Sequence, residues 1–143
     1  MKSKIFILAL ILTVLSLSGY TQQKITKTPV TPVFGVKDSL LCKQWKFVSY
    51  EEFSVANAPT EQQKNDGVTF LKDRTVFLTQ DGKAKTGTWL TDENKTYINI
   101  TIEDPKEMIK YKLMKVDDKH LTYEYQNEHL IRTILNFEPA AKK

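Results

Sequence analysis

Thr75-Val76-Phe77-Leu78-Thr79-Gln80-Asp81-Gly82-Lys83-Ala84-Lys85-Thr86-Gly87-Thr88-Trp89-Leu90 is the stretch on which the fold turns. Two runs rich in β-branched and aromatic residues flank Asp81-Gly82, where glycine accepts the positive φ of a tight hairpin turn. An antiparallel hairpin is therefore expected here. Downstream, Asp92-Glu93-Asn94-Lys95 turns the chain into Tyr97-Ile98-Asn99-Ile100-Thr101-Ile102. Its isoleucines fall on one face, and Tyr97, Asn99 and Thr101 on the other. Glu103-Asp104-Pro105 ends that strand. Ile109 to Leu113 alternates with Lys110 and Lys112 on the solvent side, and Asp117-Asp118-Lys119 turns again. Leu121 to Tyr125 then forms a last hairpin with Leu130 to Phe137 across Gln126-Asn127-Glu128. Upstream lie Gly67 to Leu71, leading through Lys72-Asp73-Arg74 into the opening stretch, and Trp45 to Glu51 before it.

These segments make about eight strands with short connections, the number that closes a ligand-sized barrel. No helical pattern is long enough for a parallel crossover, so the strands should pair antiparallel. A meander of hairpins closes into an eight-stranded, all-β, up-and-down barrel, with a two-sheet sandwich as the alternative. Residues 53–66 interrupt the pattern. Thr60 can cap the helix formers after it, so one short helix or lid-like loop is expected after the first strand.

The N-terminus reads as a signal peptide over residues 1–21. Lys2 and Lys4 give a basic start, Ile5 to Leu15 an apolar run too short to span a bilayer comfortably, and Ser16, Ser18, Gly19 and Thr21 the small residues of a cleavage site. The cut falls after Thr21 or after Ser18. Residues 22–38, with Pro29 and Pro32, read as an extended linker, 39–139 as the folded domain and 140–143 as a tail. The single cysteine, Cys42, stands too far from the apolar run to take a lipoprotein anchor, and it allows no internal disulfide. The expected location is therefore periplasmic or secreted, without stable membrane insertion after cleavage. The formal net charge of +4 falls by two lysines with the leader. So slight an excess is no argument for nucleic acid or an anionic membrane.

Leu41-Cys42-Lys43-Gln44-Trp45-Lys46-Phe47-Val48-Ser49 and Asp81-Gly82-Lys83-Ala84-Lys85-Thr86-Gly87-Thr88-Trp89 resemble the bacterial lipocalin-like domain proteins, over about residues 40–138. Members open with a Trp-containing strand and carry a Phe-rich hairpin, an Asp-Gly turn and a Gly-Thr-Trp strand. The chain departs from the pattern at Lys43, where lipocalins place glycine two residues before the first-strand Trp. The resemblance implies an eight-stranded barrel around a cavity for a small apolar molecule, with Trp45 plugging the barrel base.

Trp45, Phe47, Trp89, Tyr111, Tyr123 and Phe137 are the candidate barrel interior, either walling a ligand cavity or filling the barrel themselves. Arg132 either points inward to pair a ligand carboxylate or faces solvent, which the period of two favours. Cys42, His120 and His129 are the one set from which a thiol nucleophile and base can be drawn, and no local signature joins them. No spacing for a metal site, phosphate loop, serine elbow or carboxylate pair stands in the sequence. The expectation is a non-enzymatic protein without metal or cofactor that binds a small apolar ligand. The alternative is a filled barrel whose loops bind an envelope or secreted protein partner, by way of an apolar patch around Phe53-Ser54-Val55 and the 57–64 loop.

Overall fold

Every alternating segment forms a strand in the computed structural model, which describes residues 33–141. The expected signal peptide, most of the expected linker and the last two residues lie outside the described residues. Among the described residues the order is α1 (Val36–Leu41), β1 (Gln44–Glu52), β2 (Val55–Asn57), β3 (Gly67–Phe70), β4 (Thr75–Gln80), β5 (Lys83–Thr91), β6 (Tyr97–Ile102), β7 (Glu107–Val116), β8 (Leu121–Gln126) and β9 (Arg132–Pro139). From β3 to β9 each strand pairs antiparallel with the next. β1 takes β3 on one side and β9 on the other, which closes an eight-stranded ring. β2 is a three-residue addition beside the far end of β1.

Alternation fills the interior. Trp45 and Phe47, Val68 and Phe70, Val76 and Leu78, Ile98, Ile100 and Ile102, Ile109 and Tyr111, Leu121 and Tyr123 are all buried in one cluster. In β1 the pairing slips between Phe47 and Ser49, a bulge that swings Tyr50 onto the core instead of Ser49. Gly87 faces inward on β5, where its backbone crosses so close to the Thr101 carbonyl that a Cβ would overlap it.

One end of the barrel is shut by α1. Leu41 is fully buried, and its carbonyl accepts the Trp45 indole N–H at 2.9 Å; the Trp89 indole donates to the Leu71 carbonyl at 2.9 Å. Asp38 is 0% exposed. Its carboxylate accepts from Gly35 N–H (2.6 Å) and the Thr91 hydroxyl (2.5 Å), and it meets Lys95 Nζ at 2.9 Å and the Arg74 guanidinium at 3.5 Å. The Arg74 guanidinium lies between the Phe34 and Trp89 rings, 4.7 and 4.5 Å from their centroids. Burial alone would raise the Asp38 carboxyl, but these hydrogen bonds and the Lys95 charge outweigh it and hold the group below the usual carboxylate range.

The ordered helix thus precedes β1 and opens at Val36, inside the stretch whose prolines and threonines read as linker. After β1 come β2 and a loop over 58–66. There Thr60 and Gln63 close a single turn, Gln63 N–H donating to the Thr60 carbonyl at 3.0 Å. Among the described residues no helix is long and apolar enough to cross a membrane.

Candidate functional site

The other end of the barrel, the loop end, gathers the 58–66 loop, the β4–β5 hairpin and the β8–β9 turn. Asp66 closes the loop onto the hairpin: its two carboxylate oxygens accept the N–H groups of Asp81 (2.7 Å) and Gly82 (3.0 Å). Gln62 adds a bond from its amide to the Asp81 carbonyl (2.9 Å), and Gln63 one to the Asp81 carboxylate (3.0 Å). The local sequence accounts for this latch. The Asp81-Gly82 turn has both residues at positive φ, 50° and 72°, and Asp66 takes up the two N–H groups of that turn.

Beneath the latch lies a cavity of about 70 Å³, lined by Phe47, Leu78, Tyr111, Tyr123, Leu135 and Phe137 below and by Gln63, Asp66 and Asp81 at the rim. Its rings form one connected group. Tyr111 and Tyr123 stand 4.3 Å apart between centroids, Tyr123 and Phe137 4.9 Å, and Phe47 and Phe137 5.5 Å. Burial pushes both tyrosine hydroxyls well above their usual range, so they stay protonated. Neither hydroxyl has a hydrogen-bond partner among the described residues, although both side chains are more than nine-tenths buried.

The candidate interior residues therefore divide. Phe47, Tyr111, Tyr123 and Phe137 line the cavity, while Trp45 and Trp89 are buried toward the helix end and do not line it. Arg132 corrects the interior reading. It is exposed at the start of β9, on the side opposite Leu135 and Phe137, and lines an outer groove with Glu51, Phe53, Glu124 and Leu130. Period-two alternation sends it out. Cys42 and His120 lie toward the helix end and His129 sits in the β8–β9 turn at the loop end, so the three do not meet. Cys42 is half-buried, and its thiol is pushed up by burial, which disfavours the thiolate.

Asp66 and Gln63 were not among the residues singled out from the sequence. Asp66 does stand directly before a strand-opening glycine, but nothing local shows that its partner is a turn fifteen residues on. The loop end also exposes apolar side chains: Phe53 is 79% exposed, Val55 58% and Leu130 74%, with Phe53 and Leu130 both at positive φ.

No family model matches the chain, and no curated protein matches it. Among solved structures it is similar to a DUF4847-family protein from Bacteroides vulgatus, with a TM-score of 0.51 and 14% identity over 76% of this chain and 100% of that one. At that identity the likeness speaks for the barrel fold alone.

Proposed function

We propose that the protein is an exported, lipocalin-like binding protein that holds a small, mostly apolar molecule at the loop end of its barrel. The observation that carries this reading is the aromatic cavity of Phe47, Tyr111, Tyr123 and Phe137 lying beneath a hydrogen-bonded loop, while the opposite end is plugged by α1 and two tryptophans. With the loop down, about 70 Å³ is roughly half of the ~150 Å³ that admits benzene. Anything larger than a few waters enters as the 58–66 loop lifts. Export rests on the basic, apolar and small-residue order of residues 1–21.

Thermal unfolding tests this. A ligand present at about a hundred times its Kd adds roughly 2.7 kcal/mol, a rise of several degrees in Tm for a domain of this size. Leu135→Phe, which places extra volume in the cavity, removes that shift while the protein stays folded. A panel of lipids and hydrophobic metabolites that leaves Tm unmoved contradicts the proposal.

A second reading rests on the exposed Phe53, Val55 and Leu130: the rim of the loop end binds an apolar segment of an envelope or secreted protein. Replacing Phe53 and Leu130 by serine then abolishes partner binding and leaves small-molecule stabilisation intact. Retained partner binding rules this reading out.

A further inference from the structure

We propose that the loop-end cavity takes a small organic cation, a protonated or quaternary ammonium, in preference to a carboxylate. This rests on the small-molecule reading above and names its ligand class. Besides its two tyrosines, the ionisable groups that line the cavity are both carboxyl groups, Asp66 and Asp81. Among the described residues these accept uncharged donors: two backbone N–H groups at Asp66 and the Gln63 amide at Asp81. Their negative charge is therefore not neutralised by a cation of the cavity lining. Lys83 and Lys85 do not line the cavity; they line the adjoining groove, which shares Gln80 and Asp81 with it, and there Lys85 is held by Glu107 at 2.7 Å.

The walls add to this. Four aromatic rings surround the space, and the face of each ring carries the negative end of a quadrupole, which attracts a desolvated cation. The Tyr111 and Tyr123 hydroxyls, on side chains more than nine-tenths buried and without partners among the described residues, offer oxygens that accept an ammonium N–H. A carboxylate in the same place would meet two like charges and no basic group, so its desolvation would go uncompensated. A quaternary ammonium is weakly hydrated and leaves water at lower cost.

The test is a titration of the full folded domain, isotope-labelled in its aromatic rings, followed by NMR with three probes. These are choline, its uncharged isostere with carbon in place of nitrogen, and hexanoate. The expected result is saturable shifts at Phe47, Tyr111, Tyr123 and Phe137, with choline at least about tenfold tighter than the isostere and hexanoate weakest. Asp66→Asn and Asp81→Asn should each narrow the ratio of choline to isostere affinity. Asp81→Asn also serves if Asp66→Asn fails to fold, because asparagine tolerates the positive φ there. Isostere or hexanoate binding as tightly as choline overturns the cation assignment and keeps the small-molecule reading. Ring signals unmoved by all three probes overturn both.

Discussion

Gly87 shows how much one side chain decides in this barrel. Its position on β5 lets β6 approach until the Thr101 carbonyl occupies the place of a Cβ. Gly87→Ala should cost about 2–3 kcal/mol in urea denaturation, with overpacking against backbone as the cause. A loss under about 0.5 kcal/mol would mean that the strands part more readily than this packing implies. At the same scale, Tyr111 and Tyr123 should resist alkaline titration. A tyrosine in the unfolded chain ionises near pH 10, whereas burial raises both of these well above that. Their contribution to stability is full below about pH 10 and is lost as pH rises beyond it. Ultraviolet titration should show these two phenols ionising only with unfolding. Parity along a strand was readable from the sequence at this scale: the inward isoleucines of Tyr97–Ile102 and the outward Arg132 both follow from it.

Elements were legible where they alternate and hidden where they do not. The eight ring strands announce themselves because each buries one face. β2 has three exposed or half-exposed residues and no period to detect. α1 is six residues long and is held less by propensity than by Asp38, whose partners Thr91 and Lys95 stand more than fifty residues downstream. No local pattern can reveal that. Asp38→Asn should therefore cost about 3 kcal/mol, as breaking a buried charged network does. Because the folded-state carboxyl is depressed, its stabilising effect is present above the unfolded value near pH 4 and fades as pH falls below it. The variant should show a flatter acid limb in denaturation followed against pH. In the 58–66 loop, Gln63→Ala removes the exposed bond to Asp81 and the one from Thr60 N–H. Hydrogen exchange over residues 60–66 should quicken while global stability moves by less than about 1 kcal/mol. Unchanged exchange would show that Asp66 and Gln62 hold the loop without Gln63.

For the whole molecule, the division of the aromatics into plug and cavity depends on height along the barrel axis. Trp45 and Phe47 share a face of β1, yet one seals the helix end and the other lines the loop-end cavity. Alternation tells inside from outside and is silent about which end. Closure of the ring by β1 and β9 sets that height, and it comes from register between segments almost a hundred residues apart. The most direct measurement of the central claim is native mass spectrometry of the mature protein purified from its own host, beside the Leu135→Phe variant prepared in the same way. The account predicts a small molecule carried by the wild type, released on denaturation and missing from the variant. A bare protein mass for both, or the same adduct on both, would contradict binding in the loop-end cavity.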